Sequence, residues 1–412
     1  MSEHFDRLET RDPEQREHEQ LAALRRQVAH AKSRAPAFAK ILEGVDAEEL
    51  TTRAALARLP VTRKSDLVEL QKASQPFGGF AAVRWGEAAR VFASPGPIYE
   101  PEGRRADYWR LARALYAAGF RGGNLVHNCF SYHLTPAGSM LETGAQAIGC
   151  TVFPGGTGQT ELQVQAMSDL RPDGYVGTPS FLKIILEKAD ELGIALPSLT
   201  KALLSGEAFL AAQRDALAAR GIRGYQVYAS ADLGVMAYES PAREGLIVDE
   251  GVLVEIVRPG TDDPVAPGEV GEVVVTTLFN PDYPLIRFGT GDLSALLPGV
   301  SSCGRTNMRV KGWLGRADQT TKVKGMFVHP AQVAAIVARH REINRARLVV
   351  DNPDGNDRMT LHVEVAGSTS SQAEAIVATI RDVTKLRGEV AFLAPGELPN
   401  DGKVIDDKRK FD

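Results

Sequence analysis

Apolar positions along the chain follow two rhythms. From about residue 89 to 285, short apolar runs alternate with longer amphipathic stretches. The runs NLVHNCF (124–130), TVFP (151–154), GYVGT (174–178), ALLSG (202–206) and YQVYAS (225–230) read as strands. ELQVQAMSDL and FLAAQRDALAARG read as helices between them. That alternation predicts α/β layering around a largely parallel sheet. Near the N-terminus, Leu21, Leu24 and Val28 recur at helical spacing. The sequence Asp12-Pro13-Glu14-Gln15 supplies a cap, a proline suited to the first turn and a residue able to close a capping box. GVLVEIV (251–257) and EVVVTTLF (272–279) flank the turn-rich TDDPVAPGEVG and predict a hairpin of a smaller β unit. After about residue 316 the texture changes. RLVVDN, RMTLHVEV, SQAEAIVATIRDVTKL and GEVAFLA make an α+β tail of roughly one hundred residues. The Gly- and charge-rich link GWLGRADQTTKVKG is the expected hinge. The expectation is therefore an α/β fold. Residues 1–316 form a large N-terminal domain with mostly parallel sheets plus a β subdomain. Residues 317–412 form a small, mobile α+β C-terminal domain.

Composition narrows the function classes. The 412 residues are 43% hydrophobic and 24% charged, with a net charge of −4. Nothing there draws the chain to nucleic acid or to an anionic membrane. Cys129, Cys150 and Cys303 are far apart and no CxxC pair exists, so neither a disulfide framework nor a zinc cluster is legible. The polar N-terminus lacks the apolar core of a signal peptide, and no run of about 18 apolar residues predicts a membrane span. A reducing cytoplasm is the expected compartment.

One stretch poses a chemical question. ASPGPIYEPEG (93–103) lies between the strand-like ARVFA and the helix-like DYWRLARALYAAGF. A strand, a small-residue turn and a helix form the usual setting of a phosphate-gripping loop. Pro95, Pro97 and Pro101 have no N–H to offer a phosphate, however, and Glu100 would repel one. GGTGQT (155–160) reads instead as a turn followed by a capping box, Thr160 to Gln163.

Short stretches in constant order resemble the adenylate-forming superfamily, and within it the phenylacetate-CoA ligase family. They are TPSF (178–181), SGE (205–207), YASAD (228–232), YPLIRFGTGDL (283–293), GRADQTTKVKGMFVHPAQV (315–333) and DGKVIDDKRKF (401–411). The resemblance covers nearly the whole chain. It implies ATP-dependent conversion of a carboxylic acid to an acyl-adenylate, rotation of the small C-terminal domain, and transfer of the acyl group to coenzyme A. The family's phosphate loop reads close to SSGTTGKP. Against it Ser94, Gly96 and Pro101 match. Pro95 replaces a serine, Pro97 and Ile98 replace threonines, Tyr99 a glycine and Glu100 the lysine. A charge pair near 4 Å is worth about 1 kcal/mol in water and about 4 at an effective dielectric near 20. The lysine-to-glutamate exchange would thus weaken triphosphate binding by several kcal/mol.

The same resemblance assigns roles elsewhere. Asp292 accepts from the ribose hydroxyls. Arg316 is a ribose contact and Asp318 the hinge, although an isolated Arg/Asp pair would be a surface salt bridge. Arg287 braces the turn. Lys403 bridges the carboxylate and the α-phosphate, or is one more lysine of a basic tail. Tyr228 stacks on adenine or packs in the core. Ala231 replaces a phosphate-binding threonine, and Asp232 replaces a magnesium-binding glutamate. Glu207 belongs to the adenine-side loop or is a helix N-terminal acid. Phe130, Tyr132 and His133 face the acid, or are core aromatics and a structural histidine. Some members carry a cysteine cluster near CGRT; with only Cys303 there, no structural zinc is expected.

The losses fall on the β- and γ-phosphate and magnesium side, which keeps three readings open. The first is an ATP-dependent acid:CoA ligase using ATP/AMP and coenzyme A, with Mg2+ if ATP is used. The second is ATP-independent acyl transfer from acyl-CoA to an acyl carrier protein, another thiol or water. The third is a non-catalytic nucleotide- or acyl-CoA-binding protein. The partners expected are a small carboxylic acid or acyl-CoA, with no nucleic acid and no membrane. The resemblance also implies a homodimer, which no patch in the sequence demands.

Overall fold

The computed structural model describes residues 3–94, 97–207, 209–259, 261–317, 321–323, 326–328, 330–352, 357–367, 370–399, 401 and 403–409. The chain forms two compact units. The first holds Met1–Glu269, Val273–Thr290 and Ser294–Trp313; the second holds Val270–Glu272, Gly291–Leu293 and Leu314–Asp412. The break after Trp313 precedes the expected boundary at 316. Gly315–Arg316 go with the second unit because they pair antiparallel with Asp292–Leu293.

The first unit is built on a nine-stranded sheet. Thr151–Phe153, Leu125–Asn128, Gly174–Gly177, Lys201–Leu204 and Arg223–Ser230 lie parallel in that spatial order. Gly174–Gly177 and Lys201–Leu204 are buried at every position. Strands covered by helices on both faces need apolar runs rather than alternation, which is why these segments read as continuous. Gly234–Glu239 and Leu246–Val248 then extend the sheet antiparallel. The expected hairpin segments, Val252–Val257 and Gly271–Thr277, are neighbours in a second sheet with Phe288–Ser294 and Thr62–Arg63.

Local rules decided several details. Asp12 caps the helix Pro13–Arg34 by accepting from the amides of Glu14 and Gln15 at 2.9 and 3.0 Å. Gln15 does not close a capping box; its amide donates to Glu19 one turn on, at 2.8 Å. The Thr160–Gln163 capping box is also absent. Gln163 is buried and accepts or donates beneath the glycine turn, at 2.6 Å to His127 Nε2 and 2.8 Å to the Gly155 carbonyl. Unpaired turn carbonyls in a dry setting outcompete a cap that water could replace. Arg287 is fully buried, donates to the carbonyls of Ala57, Leu59 and Asp262, and pairs with Glu255 at 3.0 Å. Its side chain thus ties Ala57, Leu59 and Asp262 to Glu255, rather than the Thr290-Gly291 turn that it was expected to brace.

The second unit folds around its own core of Val323, Val328, Ile336, Leu348, Leu361 and Ile376, among others. Its four-stranded sheet runs Glu389–Leu393, Arg358–Glu364, Arg345–Asp351 and Ile405–Asp407. Helices Pro330–Arg339 and Ser370–Thr384 accompany it. Among the described residues, no helix is long and apolar enough to cross a membrane.

Removing the acid from the Arg287 pair leaves a buried guanidinium without a counter-charge. Glu255→Ala should lower the unfolding free energy by about 3–5 kcal/mol. Urea unfolding checks this, and a loss below about 1 kcal/mol would show that the carbonyls alone hold Arg287.

Candidate active site

The stretch read as a phosphate loop is a β-hairpin. Arg90–Ser94 pairs antiparallel with Ile98–Glu102, and the next helix starts only at Leu111. The expected strand–turn–helix is thus strand–turn–strand, because residues 98–102 return along their partner and turn Ile98 and Glu100 inward. Pro97 is exposed in the turn; Pro95 and Gly96 lie outside the described residues. Gln71 clamps the returning strand, donating to the Tyr99 carbonyl at 2.9 Å and accepting from its amide at 2.8 Å. The Tyr99 ring stays 42% exposed. Tyr108 donates to the Pro101 carbonyl at 3.1 Å, and Ser139 and Trp109 donate to Glu102 at 2.8 and 3.2 Å.

Glu100 is fully buried. Its Oε1 accepts from the Ser94 hydroxyl at 2.5 Å, and its Oε2 has no hydrogen-bond partner. Burial, followed by the charge of Asp232, pushes its pKa up to about 8. At neutral pH this position therefore holds a largely uncharged acid. Asp232, 1% exposed, takes the Lys64 ammonium on Oδ2 at 2.5 Å, while Oδ1 has no partner. Lys64 arrives from the turn after Thr62–Arg63. The Tyr283 ring is also enclosed, and burial, followed by the charge of Asp232, raises its pKa.

Ser94 also opens onto a cavity of about 160 Å3 at the C-terminal edge of the parallel strands. Phe130, Met140, Leu141 and Val227 give it apolar walls, and Ser205 and Ser230 add hydroxyls at the rim. Loops beyond the carboxyl ends of parallel strands are where open α/β sheets bind ligands. Of the residues expected around the acid, Phe130 lines this cavity. Tyr132 is half-buried and accepts from Asn128 at 2.8 Å, and His133 is exposed; neither lines it. Glu207 is exposed and accepts from the Ser180 amide, at the N-terminus of helix Pro179–Glu191, at 2.5 Å. Tyr228 is partly buried and packs on the core.

In the second unit, Arg316 Nη1 lies 3.1 Å from Asp292 Oδ1. Gly291 makes this possible: its φ is +74°, and a Cβ there would sit 2.7 Å from the Arg316 guanidinium. Lys403 is half-buried and pairs with Asp406 at 3.1 Å. Arg347 holds the segment before it, donating to the carbonyls of Lys403 and Pro399 at 3.1 and 2.9 Å. Asp318, the expected hinge, lies outside the described residues.

Sequence reasoning missed Lys64 and Gln71. Lys64 stands in PVTRKSDL, where a lysine beside a predicted turn carries no signal of its own. Only its pairing across the fold with Asp232 gives it meaning. An acid replacing the lysine at position 100 was a usable signal, since a buried acid cluster requires a cation nearby.

Comparisons with known proteins agree on the kinship. No protein-family model matches the chain. A phenylacetate-coenzyme A ligase of Thermus thermophilus is 34% identical over 95% of this chain and 95% of its own length. One from Aromatoleum evansii is 32% identical over 87% and 84%. Among solved structures, a 2-hydroxyisobutyryl-CoA ligase in complex with 2-HIB-AMP and CoA, in the thioesterification state, matches with a TM-score of 0.74. That match has 25% identity and covers 99% of this chain and 93% of the other. The same ligase in an open conformation gives the same TM-score over 97% and 92%. With relatives above 30% identity spanning almost its full length, the chain belongs to the phenylacetate-coenzyme A ligase family.

Proposed function

We propose that this protein is an acid:coenzyme A ligase that works through an acyl-adenylate. The observation that carries the reading is the likeness, over 99% of the chain, to a ligase held with an acyl-adenylate and coenzyme A. The apolar cavity beside Ser94 receives the acid. Its modest volume and its Phe130 and Met140 walls favour a compact aryl or branched acid. Asp292 and Arg316, which match the family's ribose residues, hold the nucleotide sugar. Lys403 neutralises charge building between the carboxylate and the α-phosphate, a role suited to a compact ammonium. Delivering Lys403 and then coenzyme A requires the small unit to turn, and the family's hinge position corresponds to Asp318.

Magnesium fits poorly at the residue that resembles its ligand. Asp232 is buried and already holds an ammonium at 2.5 Å. Its Oδ2 is engaged by Lys64, which leaves Oδ1 as the one oxygen of this carboxylate without a partner. Lys64 is the positive charge on this side of the hairpin, and Glu100 adds none.

One observation favours a second reading. A buried carboxyl stands where the family loop has its lysine, which weakens the grip on a triphosphate more than on a thioester. In that reading the acyl group arrives as acyl-CoA and passes to another thiol, such as a carrier protein, without ATP. Consumption of acyl-CoA in the absence of ATP, dependent on an added carrier protein, would support it over the first.

Three components, ATP, coenzyme A and a suitable aryl acid, should yield AMP and acyl-CoA in equal amounts by chromatography. Lys403→Ala should lower acyl-adenylate formation roughly 100-fold or more. An unchanged rate would remove Lys403 from the first half-reaction.

Glu100 predicts a pH dependence. Its carboxyl is neutral below about 8 and becomes an anion above it. The anion repels phosphate, so ATP affinity should fall as pH rises through that value. Calorimetric titration from about pH 7.5 to 9, above the last proton loss of the ATP terminal phosphate, should show the fall in the natural protein and a much flatter profile in Glu100→Gln. Identical profiles in both proteins would place the titrating group elsewhere.

A further inference from the structure

The opposite end of the main sheet carries a second cavity, of about 470 Å3. Arg223 on its wall begins the strand Arg223–Ser230, whose last residue lines the acyl cavity. Eight extended residues separate the two by roughly 23 Å. Three arginines, Arg121, Arg223 and Arg305, line the cavity, with Glu3 as an exposed acid at its edge. Arg305 is neutralised by Glu9 at 3.0 Å. Arg121 donates to the carbonyls of Tyr116 and Phe120 at 2.6 and 2.7 Å and stacks on the Tyr116 ring, so its charge has no carboxylate partner among the described residues. Arg223 is exposed and pairs with no acid among the described residues. Unneutralised guanidinium groups around a concave surface are a receptor for carboxylates and phosphates.

Cys303 opens into the same cavity. Arg305 Nη1 lies 3.5 Å from its sulfur and Ser301 Oγ 3.1 Å. Ser240, 1% exposed, has a hydroxyl with no hydrogen-bond partner. Burial raises the thiol's pKa, but hydrogen bonding, to which Ser301 and Arg305 contribute, outweighs it and holds the group below its ordinary value. The other two cysteines are the reverse. Both are buried; burial pushes Cys129 up to about 12 and also raises Cys150. Thiolate character and access together select which thiol reacts.

We propose that this cavity is a docking and modification site for small anionic disulfides, with Cys303 as the attacking thiol. The Cys303 thiolate attacks one sulfur of the disulfide. A new S–S bond forms to Cys303, the original S–S bond breaks, and the departing thiolate takes a proton from water. The disulfide is itself the oxidant. Its carboxylates or phosphates rest on Arg121 and Arg223, a chemistry shared by glutathione disulfide and coenzyme A disulfide.

The test exposes the full-length protein to glutathione disulfide, coenzyme A disulfide and neutral 2-hydroxyethyl disulfide at equal concentration. Adducts are followed by intact mass and peptide mapping. A single adduct on Cys303 is expected, absent in Cys303→Ser. At least one anionic disulfide should react about tenfold faster than the neutral one at low ionic strength, with the advantage shrinking to about twofold in concentrated salt. Arg223→Gln, an exposed change, should lose most of that advantage while reacting normally with the neutral disulfide. The faster anionic arm identifies which disulfide fits. First modification at Cys129 or Cys150, equal rates for charged and neutral disulfides, or an unaltered preference in Arg223→Gln would each overturn the proposal.

Discussion

Two buried carboxyl groups share one ammonium, and the nucleotide side of this protein is arranged around that shortage. Ionising both Glu100 and Asp232 beside a single Lys64 would leave a net negative charge in a dry site. The cheaper outcome is a proton on Glu100, whose pKa rises to about 8, and a direct Lys64 pair for Asp232 at 2.5 Å. The hairpin then follows. Ser94 points at Glu100 across the turn, Gln71 fixes the strand that carries it, and the acyl cavity opens on the other side of Ser94. In the family pattern a lysine stands at position 100. Here positive charge comes from Lys64 on a separate turn, so the site keeps a cation but holds it against Asp232.

The layered fold was legible because parallel strands buried on both faces must be apolar throughout. Gly174–Gly177 and Lys201–Leu204 announced themselves in that way. The β unit and the α+β tail were legible for a related reason, a change in period after a turn-rich link. The hairpin was not. Residues 98–102 contain two glutamates and a proline, neither type favoured in strands, and what makes them a strand is tertiary: Gln71 on Tyr99 and Tyr108 on Pro101. Gln163 shows the same limit. A capping box and a buried clamp use the same residue, and only the fold decides between His127 and a helix amide. The site was half legible. Asp232, Glu100 and Phe130 were singled out from sequence, whereas Lys64 lies far from them along the chain and carries no local mark.

The two cavities of the first unit differ in kind. The one at the C-terminal edge of the strands is small and apolar with serine hydroxyls, as suits a compact acid. The one at the opposite end is larger and arginine-walled, with the single thiol that its surroundings activate.

The most direct test of the central claim is acid-dependent exchange of labelled pyrophosphate into ATP, which reads adenylation without requiring coenzyme A. Exchange that appears only with a suitable aryl or branched acid is the predicted result. Absence of exchange across a broad acid panel, with AMP and coenzyme A still bound, would contradict adenylation and leave acyl transfer from a preformed thioester as the activity.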